Sequence, residues 1–534
     1  MLSFPASVLH FPSWAFRSTV CRSVSLAYFA TLFGLWRLGL LIMLGRGFPP
    51  AFPESRALFV TTLLTVPTWA FCMCIGYLCW MFELSLGNCF TRWRNPHGNY
   101  TELVFNQDEE IERCEEHPSP RAGAHKTASR RQRPVAFIAL WSGYFSLVIL
   151  GVYLLVTYEL PVDHHYKADV QLANRVPKRD GYASKEKIFL AAMFYNNARV
   201  VPYWTVEITK LINYLGSDNV FVSIVESYST DATPALLLEF DRKLEAMGVP
   251  RRILTQETSI PRPASSTGTQ LPHIEYLANL RNLAMEPLAT QGAYDRVLFS
   301  NDVFVEAESI VELLNTKGGD YDMACGLDFH NRGLYDLWVL RDRLGHLASA
   351  LWPYFLEDTG FRAVMTNEPA PVFACWNGII AVRADPFLPI PLRKGQLSTI
   401  PLTHPLPSTH PAYPRPLNTT PASTSPVRFR ASKPGECFSS ESFLLPYDLR
   451  RQFAMKNIYA NPRVITAYEW RFYVWFKYIL RHWAVKWFIE RVENGNGIHL
   501  AKFVLGNPAE IWQWDGSECH PAPVRGPNPR SLTN

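Results

Sequence analysis

The stretch YDRVLFSNDVFVEAESIVELL, residues 294–314, decides the fold. Val297, Leu298 and Phe299 form a continuous apolar run of strand length, Ser300-Asn301-Asp302 ends it, and the chain resumes with helical spacing. The upstream sequence repeats the scheme. KIFLAAMF (187–194) and NVFVSIVE (219–226) read as buried strands, and VVPYWTVEITKLINYLG (200–216) has helical spacing between them. DATPALLLEFDRKLEAMGV (231–249) reads as a helix with Asp231 as N-cap and Gly248 as stop. HIEYLANLRNLAMEPL (273–288) is a further helix, which leads into the opening stretch. Strands alternating with helices predict an α/β domain with a mostly parallel sheet covered on both faces.

At 534 residues the chain is too long for one ordinary core. Lys plus Arg exceed Asp plus Glu only slightly, 52 against 47, and no basic block is interleaved with stacking aromatics, so no nucleic-acid partner is expected. The hydrophobic content of 48% is high and concentrated towards the N-terminus. Three apolar runs, 25–44, 57–82 and 135–156, each approach the ~20 residues that cross a bilayer. The third has no charge and follows KTASRRQR; its Lys126, Arg130, Arg131 and Arg133 place that side in the cytosol and everything downstream in a lumen. The first carries Arg37 at its middle, which suits a surface helix or signal-like segment as well as a span.

These features divide the chain into a membrane region (1–134) with two transmembrane helices and a polar cytosolic loop, an anchor (135–157), a stem (158–185), a catalytic domain (186–490) and a tail (491–534). Residues 394–427 break the pattern: they are rich in Pro, Ser and Thr and contain no acid, Phe or Trp. That composition builds no core, so the segment reads as a disordered insertion or as a translated intron. Asn418-Thr419-Thr420 inside it is a luminal glycosylation sequon. Four of the ten cysteines, Cys325, Cys375, Cys437 and Cys519, would face an oxidising lumen, and sequence leaves their pairing open. The stretch AYEWRFYVWFKYILRHWAVKWF (467–488) suits either a helix lying on the membrane or one packed on the domain.

Ligands of open α/β sheets bind outside the carboxyl ends of strands, where Asp302 falls. A carboxylate there can hold a divalent cation against a diphosphate. Ser300-Asn301-Asp302 resembles an Asp-x-Asp metal motif with the first acid replaced. SIVESYSTDAT (223–233) supplies Glu226 and Ser227 at a second strand end, and Arg281 on the preceding helix is a candidate diphosphate donor.

FLAAMFYNNARVVPYW, SIVESYSTDAT, YDRVLFSNDVFV, YDMACGLDF, GLYDLWVLRDRLG, FACWNGIIAVRADPF, FRASKPGECFSSESFLLPYDLRR and IYANPRVITAYEW, in that order, resemble the fungal cryptococcal α-1,3-mannosyltransferase and capsule-associated protein family, glycosyltransferase family 69. The resemblance spans about 187–470. It implies a GT-A-like fold, Golgi membrane anchoring, GDP-mannose as donor, Mn2+ or a similar cation, and α-mannose transfer to a mannose-containing glycan. With it, Asp302 becomes the metal ligand, and Asn196, Glu226, Ser227, Arg281 and Asn301 become nucleotide-sugar contacts. Trp376 and Asn377 become an acceptor-facing pair, and Glu441 and Asp328 the catalytic acids, with Glu436 and Asp448 competing. The missing acid at 300 also leaves room for a non-catalytic scaffold that keeps the fold.

Overall fold

A computed structural model describes residues 161–479 and 483, other than 184, 264–270, 293, 331–332, 351, 356, 402–424 and 434–438. The three expected spans, the tail, Asn418, Glu436, Cys437 and Cys519 lie outside the described residues. Among the described residues no helix is long and apolar enough to cross a membrane.

The first described element is a short 3-10 turn, Val162–Tyr166, followed by α1 (Lys167–Arg175). Both fall in the stretch read as stem, yet Asp163, Val170 and Ala173 are buried, so this part belongs to the folded body. Then come β1 (Ile188–Phe194), α2 (Val201–Leu215), β2 (Val220–Glu226), α3 (Thr233–Ala246) and β3 (Arg251–Leu254). Pro202 sits in the first turn of α2, where its missing N–H costs nothing. Gly216 ends that helix at φ 95°, a conformation that disfavours a side chain. Trp204, Ile208, Leu211 and Leu215 bury one face of α2 against the sheet. Next are α4 (Leu271–Met285), β4 (Arg296–Ser300) and α5 (Ala307–Leu314), every residue of the last being buried.

The second half of the domain holds β5 (Met323–His330), β6 (Gly333–Leu334), β7 (Arg341–Asp342), α6 (Asp358–Met365), β8 (Ala370–Ala374) and β9 (Ile379–Arg383). It finishes with α7 (Glu441–Phe453), β10 (Ile458–Ala467) and α8 (Trp470–Val474). The strands join in the order β3-β2-β1-β4-β9-β5-β10-β8-β7, with β6 beside β5.

The expected mostly parallel sheet is corrected to a mixed one. β3, β2, β1 and β4 run parallel, as does β10 with β5. β9 lies antiparallel between β4 and β5, and β8 is antiparallel to β10. Helical crossovers, which parallel neighbours require, join the early strands, whereas β9 follows β8 after residues 375–378 alone, enters the sheet with β5 and β10 lying between it and β8, and so meets β4 and β5, strands it is not joined to directly, running against both.

Cys325 of β5 is bonded to Cys375, so the turn before β9 is fastened covalently to the sheet centre. Closing a loop with 50 residues of separation contributes about 2–4 kcal/mol, mainly by restricting the unfolded chain.

The edges of the expected insertion also differ from the reading. The backbone amide of Ser398 donates to Asp322 (2.8 Å), Asn457 Nδ2 donates to Ser398 Oγ (2.8 Å) and the Ile400 carbonyl (2.9 Å), and Val427 N donates to the Pro386 carbonyl (2.8 Å). Residues 394–400 and Val427 are therefore stitched into the domain, and a shortened chain should keep them.

Candidate active site

The parallel strands β1, β2 and β4 end side by side, with Phe194 opposite Glu226 and Ala192 opposite Ser300. The chain beyond these ends carries the polar residues. Ser300 itself is fully buried and faces inward: Trp204 Nε1 donates to its Oγ (2.9 Å), and the hydroxyl donates to the Asn301 carbonyl (2.9 Å). A carboxylate at 300 would face the indole, not the crevice. Ser300→Ala is accordingly expected to cost about 1–3 kcal/mol by leaving the Trp204 N–H unpaired, while ligand binding stays near wild type. Thermal denaturation beside nucleotide titration measures the two separately.

Asn301 is the hub. Its amide donates to the Gly378 carbonyl (2.8 Å), its Oδ1 accepts from Trp376 Nε1 (3.0 Å) and Arg281 Nη1 (3.4 Å), and its Nδ2 donates to the Tyr468 hydroxyl (3.2 Å). Asp302, next in the chain, is only half-buried and accepts from Asn197 Nδ2 (2.6 Å). Packing around its carboxyl raises the pKa to about 6, only partly offset by that hydrogen bond.

Arg281 and Glu441 are both buried and joined, Nε to Oε1, at 3.1 Å. The guanidinium lies 4.2 Å from the Trp376 ring centre and 5.1 Å from that of Phe299. Glu441 opens α7, whose Ser440 cap accepts from the Phe443 amide. The expectation that Glu441 faces the reacting sugar is therefore corrected: at 2% exposure its carboxylate neutralises Arg281. Trp376, 1% exposed, cannot stack on a sugar either, because Arg281 and Phe299 pack on its ring and its N–H is spent on Asn301. Asn377 is also fully buried, and its Nδ2 donates to Asp328 Oδ1 (2.8 Å). The Asn377-Gly378 turn has φ 40° and 83°, and a side chain at 378 would meet Thr466 Oγ1 at 2.3 Å.

Glu226 and Ser227 shape their loop from below. The two Glu226 oxygens accept from the amides of Ser229 (2.8 Å) and Gln256 (2.6 Å), and Ser227 Oγ donates to the Glu257 carbonyl (2.8 Å). Both residues are buried, so the reading of their side chains as nucleoside contacts is corrected to a supporting role. Asn196 differs: it is exposed, adopts φ 53°, and clasps the same loop by accepting from the Thr230 amide (2.8 Å). Asp231 precedes α3 and ties the two loops together by accepting from Thr233 N and Ala198 N, each at 2.9 Å.

Asp328 is fully buried at the end of β5, with Asp336 close by: the Asp336 amide donates to Asp328 Oδ1 (3.3 Å). Burial raises both carboxyls, and the Asp328 charge pushes Asp336 further, to about 8. An acid raised in the folded state adds stability that is complete below the unfolded carboxyl range near ~4 and is lost as pH climbs through 8. Asp336→Asn, which mimics the protonated form, is expected to flatten the fall in melting temperature between pH 5 and 9.

The sequence reading missed Asn197, Asp336, Tyr468 and Tyr335. Asn197 was within reach, being the second amide of the pair that follows β1. Asp336 and Tyr468 arrive from a turn after β6 and from the end of β10, and no local spacing links either to Asp302.

Residues 187–448 match the family described as Cryptococcal mannosyltransferase 1. This region of the chain belongs to that family. A related protein, the alpha-1,3-mannosyltransferase CMT1 of Cryptococcus neoformans, is 29% identical over 208 residues, which cover 34% of this chain and 42% of the relative. The matched part thus spans less than half the length of that relative. Among solved structures, a mannosyltransferase from Pyrobaculum calidifontis in complex with GDP-Man and Mn2+ is 10% identical, covering 63% of this chain and 73% of its own, with a TM-score of 0.27. The Mycobacterium tuberculosis glucosyl-3-phosphoglycerate synthase is 17% identical over 41% of this chain and 62% of its own, with a TM-score of 0.21. Neither structural likeness is close enough to bear on function.

Proposed function

We propose that the protein is a membrane-anchored Golgi glycosyltransferase of GT-A type that moves mannose from GDP-mannose to a mannose-containing glycan, in an α-1,3-mannosyltransferase-like reaction serving capsule or cell-wall synthesis. The observation that carries the reading is Asp302, half-buried at the carboxyl end of β4, in a chain of the cryptococcal mannosyltransferase family.

Among the described residues no three His, Cys, Asp or Glu side chains gather to hold a metal by themselves. The donor set instead fits a hard cation such as Mn2+ that takes one carboxylate and completes its shell with phosphate oxygens and water. Asp302 would be that carboxylate, since burial leaves its charge under-compensated. When bound, the cation would neutralise charge on the departing diphosphate. Asn197 orients the Asp302 carboxylate, Asn301 ties its backbone to the Gly378 turn, and the Arg281–Glu441 pair fixes Asn301. Tyr335, 55% exposed and close enough to Asp302, Asp328 and Asp336 to sense their charge, replaces Trp376 as the aromatic able to meet an acceptor sugar. The Cys325–Cys375 bond supports a luminal domain, because such bonds persist in oxidising compartments.

The rival reading, a non-catalytic scaffold, drew its support from Ser300. With that side chain turned towards Trp204, the absent acid counts little against catalysis. Detergent-solubilised full-length chain incubated with Mn2+, labelled nucleotide sugars and manno-oligosaccharides tests the proposal. Transfer from GDP-mannose alone is the expected result, and no transfer from any donor would favour the scaffold.

A further inference from the structure

Asp302 and the carboxyl ends of β5 and β10 share one edge of the sheet. β9 runs antiparallel to both β4 and β5, so β5 points the same way as β4, and β10 is parallel to β5. Phe304, two residues beyond Asp302, donates its amide to the Ala467 carbonyl at the end of β10 (2.8 Å). The chain leaving β5 and β10 therefore emerges beside the candidate active site.

Both exits carry rings. His330 ends β5, and Tyr335 follows β6, held by its amide on the Asp328 carbonyl (2.9 Å). Tyr468 follows β10, and Phe472 lies in the first turn of α8. The four rings form one row, with centres 5.2 Å apart from Tyr468 to Tyr335, 5.5 Å from Tyr335 to His330 and 5.0 Å from His330 to Phe472. Its inner end is fixed to the site, because the Tyr468 hydroxyl accepts from Asn301 Nδ2 (3.2 Å).

The row is open to solvent and edged with accessible polar groups. Tyr335 is 55% exposed, and His330 and Phe472 are partly so. Glu469 meets His330 Nε2 through Oε1 (3.4 Å) and Arg471 Nη2 through Oε2 (2.8 Å), and the Glu469 and Arg471 side chains remain 41% and 70% exposed. Each carboxylate oxygen has a second lone pair to offer, and the guanidinium has further N–H groups. An apolar partner, such as a lipid tail or a hydrophobic helix, would cover this ion pair without satisfying it. A pyranose instead lays its C–H face on an aromatic ring and turns hydroxyls, donor and acceptor at once, to the groups at the ring's edge. His330 separates Tyr335 from Phe472, so the row offers two platforms, each about the size of a hexose.

We propose that the acceptor is recognised as an oligosaccharide of at least two sugars, the inner one on Tyr335 and the next on Phe472, with hydroxyls of the outer sugar held by Glu469 and Arg471. The choice of mannose for those sugars rests on the function proposed above. The donor then lies over β1, β2 and β4, the acceptor over β5 and β10, and Asp302 at the boundary.

The test compares methyl α-mannoside with α-linked mannobiose as acceptors for full-length chain in detergent, with GDP-mannose and Mn2+. Wild type should use mannobiose with a kcat/KM about tenfold or more higher, the gain lying mainly in KM. That preference should fall towards parity in Phe472→Ala, which removes the outer platform, and in Glu469→Gln, which removes the charge but keeps the shape. The ratio within one variant is insensitive to its folded fraction, since loss of folded protein scales both rates equally. Equal use of the two acceptors by wild type overturns the proposal, as does a preference that both variants retain. Calorimetric titration of the same two saccharides decides the point without turnover. If wild type transfers to neither acceptor yet binds mannobiose more tightly than methyl mannoside, and both variants lose that difference, the outer subsite stands and the reading of the activity falls.

Discussion

Asp302→Asn is expected to lower mannose transfer by about 10³-fold or more, equivalent to about 4 kcal/mol of transition-state stabilisation. The asparagine carbonyl can still accept from Asn197 Nδ2, so the loop after β4 should keep its shape. What is lost is the negative charge, and with it the cation and its hold on the diphosphate. GDP should therefore bind the variant equally with or without Mn2+, whereas wild type should bind more tightly with it. Titration of GDP at fixed Mn2+, with circular dichroism as the folding control, separates loss of the ion site from loss of structure. Wild-type Mn2+ dependence and transfer in Asp302→Asn would overturn the metal assignment and leave the acid a structural role. Asp302→Ala should lose the same function and additionally leave the Asn197 amide without its partner.

How far the sequence reaches is visible in the same residues. Strand and helix existence in the first half followed from continuous apolar runs alternating with helical spacing, because buried parallel strands and their covering helices imprint those patterns locally. The position of Asp302 at a strand end followed from the same logic. The antiparallel insertion of β9 did not, since which strands become neighbours depends on contacts distant in sequence. Side-chain direction was the larger loss. Trp376, Asn377, Glu226 and Glu441 are polar or aromatic residues beside a crevice, and their types suit ligand contact. Each is instead buried with a partner that pairs its polar atoms, namely Asn301, Asp328, two loop amides and Arg281. Composition cannot distinguish a group that meets a ligand from one that holds its neighbour in place. The aromatic stretch from 467 posed the same choice between membrane surface and domain, and as far as Tyr478 it packs on the domain, with Tyr473, Val474 and Tyr478 buried.

The largest stability effect should come from the cation in that stretch. Lys477 is completely buried, and its Nζ donates to Asp163 Oδ2 (2.7 Å), Glu306 Oε2 (2.8 Å) and Ser309 Oγ (2.7 Å). His164 Nε2 lies 3.1 Å from the same Glu306 oxygen, and the Tyr478 hydroxyl donates to the other. Burial alone would lower the Lys477 pKa, but Asp163 and Glu306 hold it well above its usual value. Glu306, which burial alone would raise, is in turn held well below the carboxylate range by Lys477. The network fastens three segments distant in the chain: the turn before α1, the start of α5 and the turn after α8. Lys477→Met keeps most of the volume and removes the charge, leaving two carboxylates in a space that cannot solvate them. The expected cost is about 3–5 kcal/mol, read as a lower denaturation midpoint. Its origin is the stranded anions rather than lost packing, so adding Asp163→Asn and Glu306→Gln should restore part of the loss. If the triple variant is less stable than Lys477→Met alone, stranded charge is not the cause, and the network contributes through the geometry of its hydrogen bonds.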